Sequence, residues 1–150
     1  MAIIRDAIEV PGPVPVPRRL EARWGRLELH RGIRLLTPPH ASVGLRRLLR
    51  RHQRRFDGLL TAPPEDAPTL RIRVTEDPDR CPRLDDDESF SCRVTSAGAD
   101  LRAATPIGIS HGLERFLQLV ARDAVGPHVP ALVLDDGPRL PWRGLLLDLA

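Results

Sequence analysis

Lysine and tyrosine are absent from this 150-residue chain, and all 23 of its basic residues are arginine. With only arginine titrating at high pH, a small excess of base lifts the isoelectric point to about 10.0 while the net charge stays at +3. The high isoelectric point therefore overstates the basicity and does not by itself mark a nucleic-acid binder. Cysteine is scarce. Cys81 and Cys92 cannot make a disulfide framework, and neither has a second Cys or a His at metal-ligand spacing. The histidines, His30, His40, His52, His111 and His128, are scattered, with no His-Glu-x-x-His pattern. A metal site is disfavoured, and no cofactor is expected. Aromatic residues make up 3% of the chain, too few for a sugar-stacking or base-stacking platform. No apolar run approaches the ~20 residues that a membrane helix needs. The opening "MAIIRDAIEVPGPVPVP" lacks the charged, apolar, small-residue order of a secretory signal. No membrane partner is expected, and a cytoplasmic location is the default.

Apolar residues are nonetheless 41% of the chain, enough for one domain with a real core. The proline-rich start reads as an extended lead-in. "RLEARWGRLEL" reads as two short strands with a turn at Trp24-Gly25, and "GIRLLTP" as another strand stopped by prolines. "HASVGLRRLLRRHQRRFDGLL" predicts a helix with Ser42 as N-cap. Leu45, Leu48, Leu49, His52, Phe56 and Leu59 form its apolar face, and Arg46, Arg47, Arg50, Arg51, Arg54 and Arg55 the opposite one. "TLRIRVTED" alternates strictly, as a half-buried strand does. "SFSCRVTSAGADLRAAT" predicts a hairpin turning at Ser96-Ala97-Gly98, with Phe90, Cys92 and Val94 inward. A second helix follows, with Ile109, Leu113, Phe116, Leu117 and Val120 on one face, then the strands "HVPALVLDDGP" and "WRGLLLDLA". The economical arrangement is α+β: one mostly antiparallel sheet with two helices packed on one face.

Several clusters invite a chemical reading. The arginine face of the first helix could neutralise phosphates. Without interleaved aromatics it reads instead as a solvated face. "DDDE" at Asp85 to Glu88 lacks the ligand spacing and glycine bend of a Ca²⁺ loop. Adjacent carboxylates on extended chain face opposite ways, so this stretch is expected to be a solvated loop. Asp135 and Asp136, before Gly137-Pro138, look like turn formers. Ser110-His111 lacks the Gly-x-Ser-x-Gly elbow of a hydrolase. His52 is expected to pack in the core, and His128 to lie in a loop.

The ending carries the most specific signal. "DDGPRLPWRGLLLDLA" holds Asp136-Gly137-Pro138-Arg139 followed by Trp142-Arg143-Gly144 and an apolar run into Asp148. This resembles the segment that opens the catalytic barrel of family-20 glycoside hydrolases, the β-N-acetylhexosaminidases. "VPVPRRLEARWGRLELHRGIRL" and "DDESFSCRVTSAGADLRAATPIGISHGLERFLQLV" resemble that family's N-terminal domain more weakly. The resemblance implies a zincin-like N-terminal domain, an antiparallel sheet with two helices on one side.

It also implies chemistry. These enzymes remove terminal N-acetylhexosamine with retention, using the substrate's acetamido oxygen as nucleophile, unlike the two-carboxylate scheme. Their Asp-Glu pair sits on a later barrel strand and has no counterpart in these 150 residues. No catalytic residue is therefore expected here. The motif arginine maps onto Arg143, whose guanidinium would bond sugar hydroxyls in the intact enzyme. The expected organisation is an extended lead-in at 1–15, an α+β domain at 16–136, and the broken-off start of a catalytic β/α barrel at 137–150. The expected partners are that barrel and, for the parent enzyme, N-acetylhexosamine-terminated glycans. The chain alone is expected to be inactive. The rival expectation is a free-standing polyanion- or nucleic-acid-binding module that uses the arginine-rich helix face.

Overall fold

The computed structural model describes residues 15–77 and 80–140. The lead-in before residue 15 and the closing segment with Trp142, Arg143 and Leu145 to Leu147 lie outside the described residues. The elements are β1 (Arg19–Glu28), β2 (Arg34–Leu36), α1 (Val43–Leu59), β3 (Thr69–Val74), β4 (Phe90–Thr95), β5 (Gly98–Ala103), α2 (Pro106–Gln118), β6 (Ala121–Arg122) and β7 (Pro127–Asp136). The strands form one sheet in the order β1-β7-β4-β5-β3-β2, with β6 also paired to β7.

The domain is α+β, and its sheet is mixed. β2 and β3 run parallel, as do β3 and β5, while β7 pairs antiparallel with β1, β4 and β6, and β4 pairs antiparallel with β5. The β2–β3 pair is parallel because α1 lies between the two strands in sequence, and a crossover returns the chain in the same direction. Periodicity within single strands does not reveal this.

Strand alternation divides the sheet into two unlike faces. Leu70 and Ile72 of β3, Cys92 and Val94 of β4, Leu101 of β5, and Leu132 and Leu134 of β7 point inward and are buried. Leu45, Leu49 and Phe56 of α1 and Ile109, Leu113 and Phe116 of α2 join the same core cluster. The helices meet through Phe56 and Phe116, whose ring centroids are 5.9 Å apart. Each such side chain contributes about 1.5–3 kcal/mol on full burial. Burial also pushes the Cys92 thiol up to about 12, with the Asp100 carboxylate adding to the effect. The opposite face carries Arg71, Arg73, Arg93 and Arg102 and is open.

Both helix starts are capped by side-chain oxygens. Ser42 Oγ accepts the Leu45 N–H at 3.0 Å and donates to Asp77. Thr105 precedes Pro106, which occupies a first-turn position where no intrahelical N–H bond is lost. The six arginines of α1 are exposed as expected, but Leu59 is exposed too, since the helix ends there and turns away from the core. Trp24-Gly25 does not separate two strands. β1 is continuous, with a bulge between Ala22 and Arg26. Gly25 supplies a φ of +94° in that bulge, and Trp24 is thrown outward at 80% exposure.

α2 sits close to the sheet because it shows glycine to it twice. A Cβ at Gly108 would lie 2.6 Å from the Ser89 carbonyl oxygen, and one at Gly112 would lie 2.4 Å from a Leu101 methyl. The first neighbour is backbone and cannot yield, whereas the second is a side-chain tip. Gly108→Ala is therefore expected to destabilise by more than Gly112→Ala, within the range of about 1–3 kcal/mol typical of overpacking. Urea unfolding of the two variants compares them directly.

Candidate functional site

The inward row of β7 runs Leu132, Leu134 and then Asp136, so strand parity carries a carboxylate onto the core side. Asp136 is therefore no turn former. It is 8% exposed and receives Arg115 Nη2 of α2 at 2.7 Å. Arg115 is itself 7% exposed, and its Nη1 donates to Gln118 Oε1 at 2.8 Å. A buried charge needs both a counter-ion and further hydrogen bonds, and here each partner has them. The second Asp136 oxygen accepts a long bond, 3.4 Å, from the Arg18 backbone N–H.

The two ends of the described chain are tied together at this point. Arg18 Nη2 donates to the Pro138 carbonyl at 2.8 Å, and Arg139 Nη2 donates to the Val16 carbonyl at 3.1 Å. Between these ends and α2 lies a depression of about 500 Å³ whose lining includes His111, Glu114, Arg115 and Asp136. Val16 and Leu140 stand exposed beside it at 72% and 66%. Gly137 fits this crossing because a Cβ there would come within 3.0 Å of the Ser89 Cα.

The acidic loop beside the crossing is not simply solvated, as the sequence suggested. Each of Asp86, Asp87 and Glu88 has a partner. Asp86 takes both Arg80 guanidinium nitrogens, at 2.6 and 3.0 Å, and the Arg83 N–H at 2.8 Å. The Arg80 bond first, and then the Arg83 N–H, pull its carboxyl down to about 2. Asp87 accepts from the Ser89 N–H at 2.8 Å, and the Ser89 bonds hold it below the usual carboxylate range. Glu88 Oε2 lies 2.9 Å from His111 Nε2. Thr105 Oγ1 donates to the Asp87 carbonyl at 2.6 Å, joining the loop to the start of α2.

Ser110 and His111 thus form no triad, since the ring of His111 is engaged with Glu88. His52 is buried in the core as expected, with Nδ1 3.1 Å from the Leu48 carbonyl and Nε2 3.2 Å from Glu114 Oε1. Arg55 bonds the same Glu114 oxygen, so the pair ties α1 to α2. His128 is not in a loop but in β7, because the strand begins one residue earlier, at Pro127. Among the described residues, no group of three or more His, Cys, Asp or Glu could hold a metal ion. No helix there is long and apolar enough to cross a membrane. Arg143, the sugar-binding candidate, lies outside the described residues. The sequence reading missed Arg115 and Asp136 as a pair. The available signal was strand parity, which puts Asp136 on the apolar side and so requires a cation opposite.

This arrangement holds a helix, a strand end and both ends of the described chain together, and the carboxylates nearest it are engaged. No family model matches the chain. Curated relatives do. The β-hexosaminidase subunit beta of Entamoeba histolytica is 41% identical over 68 residues, covering 43% of this chain and 12% of that protein. The subunit of the same name from Rattus norvegicus is 37% identical over 90 residues, covering 56% of this chain and 17% of that protein. Among solved structures, the family-20 chitobiase of Flavobacterium johnsoniae superposes with a TM-score of 0.70 at 27% identity, over 88% of this chain and 21% of that one. The chain thus spans less than a fifth of those curated relatives. Its resemblance is to family-20 β-hexosaminidases, over part of their length.

The Asp86 cluster has a readable acid signature. Its carboxyl protonates near 3.8 when unfolded and near 2 when folded, so between those values the unfolded chain binds more protons. The stability this group contributes is full above about pH 4 and is lost as pH falls toward about 2. Asp86→Asn should flatten that part of the profile. Urea midpoints at about pH 5 and about pH 2.5 should differ less in the variant than in the parent protein.

Proposed function

We propose that this chain is the non-catalytic N-terminal domain of a β-N-acetylhexosaminidase, and that its last residues open the enzyme's catalytic barrel. The parent enzyme would remove terminal N-acetylhexosamine from glycans by substrate-assisted, retaining hydrolysis. The single observation that supports this best is the likeness to the chitobiase, which covers most of this chain and about a fifth of that one (21%). The mixed sheet with its two helices would then be the zincin-like, largely antiparallel domain that the resemblance implies.

In this reading residues 16–136 are the accessory domain, and residues 137–150 the first piece of the barrel. Arg143 would bond hydroxyls of the terminal sugar once the barrel surrounds it. The crossing of residues 16–18 with residues 136–139 gives the domain a mechanical role: it fixes where, and in what direction, the polypeptide leaves β7. The exposed Val16 and Leu140 beside that exit are the apolar contacts that the barrel would cover. Nothing observed favours the rival polyanion reading of α1. Its exposed arginines have no aromatic among them, and one of them, Arg55, is committed to Glu114.

The 150-residue chain should release no chromophore from a chromogenic N-acetylglucosaminide above the uncatalysed rate. Sustained turnover would overturn the non-catalytic assignment. The coding sequence past codon 150 tests the parent enzyme. It should supply Arg-His within a few residues, and later an Asp-Glu pair at a strand end. A stop codon or an unrelated continuation would remove the proposal.

A further inference from the structure

The outward face of the sheet carries an arrangement that the hexosaminidase reading does not use. Register places Arg73 of β3 beside Arg102 of β5, Arg102 beside Ser91 of β4, Ser91 beside Asp135 of β7, and Asp135 beside Arg19 of β1. Neighbouring strands are about 4.8 Å apart, so this row crosses the sheet over roughly 19 Å. Two like charges directly opposite each other destabilise a sheet, so the Arg73–Arg102 pair calls for a counter-charge. The protein supplies little. Arg73 Nε lies 3.4 Å from Asp100 Oδ1, too long for a good hydrogen bond, and that oxygen is buried with no hydrogen-bond partner. Among the described residues Arg102, Arg71 and Arg93 have no hydrogen-bond or ion-pair partner.

Arg73 and Arg102 open into a depression of about 650 Å³ at the ends of β3, β5 and β7, with Arg18 on its wall. Thr75, Ser89 and Ser91 bring hydroxyls to the same space. Asp135, paired with Arg19 at 3.5 Å and about two-fifths exposed, adds an acceptor, while Asp136 on the rim is already bound to Arg115. An adjoining hollow, which shares Arg102, Ser91 and Asp135, extends the trough across the sheet. The lining selects a ligand class. Two neighbouring guanidinium forks, Arg102 without a partner among the described residues and Arg73 engaged only through Nε at 3.4 Å from Asp100, match the oxygens of a sulfate or phosphate ester. Hydroxyls and a carboxylate beside them match a hydroxyl-rich body. A densely charged polyanion would meet Asp135 and Asp100 instead, and Phe90, the aromatic in the lining, is buried at 7% exposure and offers no face for base stacking.

We propose that the open face of the sheet binds a sugar bearing a sulfate or phosphate ester. The ester oxygens are held between Arg73 and Arg102, and sugar hydroxyls meet Ser91 and Asp135. The site belongs to this chain alone and stands whether or not the hexosaminidase reading holds.

Isothermal titration calorimetry of the 150-residue chain tests it with glucose 6-phosphate, glucose 6-sulfate, glucose and inorganic phosphate, at fixed ionic strength. The expected result is saturable binding of an ester at one site, weaker binding of inorganic phosphate, and none of glucose. Binding of one ester alone upholds the proposal and identifies the source. Arg73→Gln and Arg102→Gln, both on exposed side chains, should each weaken the ester by about tenfold or more, with an unchanged circular dichroism spectrum. The double change Arg50→Glu and Arg54→Glu on α1 should leave it unaltered. Absence of saturable ester binding would overturn the proposal, as would ester affinity unchanged in both glutamine variants. Inorganic phosphate as tight as either ester would overturn the sugar half. A single-stranded oligonucleotide that bound more tightly than either ester, and lost binding on the α1 change, would overturn it in favour of a polyanion surface.

Discussion

The buried pair between Arg115 and Asp136 is the constraint on which the rest of the arrangement depends. β7 lies inside the sheet, between β1 and β4, and its inward row runs through Leu132 and Leu134 to a carboxylate at Asp136. A lone ionised group there would cost several kcal/mol. α2 must therefore bring Arg115 to it, and it reaches the sheet closely enough only because Gly108 and Gly112 face β4 and β5. Once made, the pair fixes the angle of α2 and the end of β7, and with them the place where the chain leaves the sheet. Such a pair adds little net stability over a well-packed apolar alternative. Its contribution here is to exclude other positions for α2 and for the strand end.

The same economy governs the acidic groups around the crossing. The carboxylates nearest the crossing are already engaged: Asp86 with Arg80, Glu88 with His111, Glu114 with His52 and Arg55, and Asp136 with Arg115. These contacts hold loop, helix and strand together. The outer face of the sheet differs. Its arginines outnumber the acids near them, and several have no partner, which is the condition for holding a ligand rather than a fold.

The strict alternation of Leu70, Ile72 and Val74, and the helical spacing of Leu45, Leu49, His52 and Phe56, made the two faces and both helices legible in the sequence. Ser42 could be read as a cap because its Oγ acts within three residues. Features that depend on distant partners were not legible. The parallel β2–β3–β5 pairing depends on crossovers, not on any local pattern. The continuity of β1 through Trp24-Gly25 depends on β7 offering a bulged register. Asp136 read as a turn former because its partner lies 21 residues away on a helix. The acidic loop read as solvated because charge runs usually are, and Arg80 and His111 approach it only in the folded chain. The motif around Asp136 was legible as a resemblance, but not the physical reason its aspartate is there: it closes an ion pair inside the domain.

A double-mutant cycle on Arg115→Met and Asp136→Asn, read by urea unfolding, tests this account most directly. If the pair is the lock described, each single change costs about 3–5 kcal/mol by stranding a buried partner. The double variant should then lose clearly less than the sum, with a coupling of about 2 kcal/mol or more. Additive losses, with each single change below about 1 kcal/mol, would contradict it.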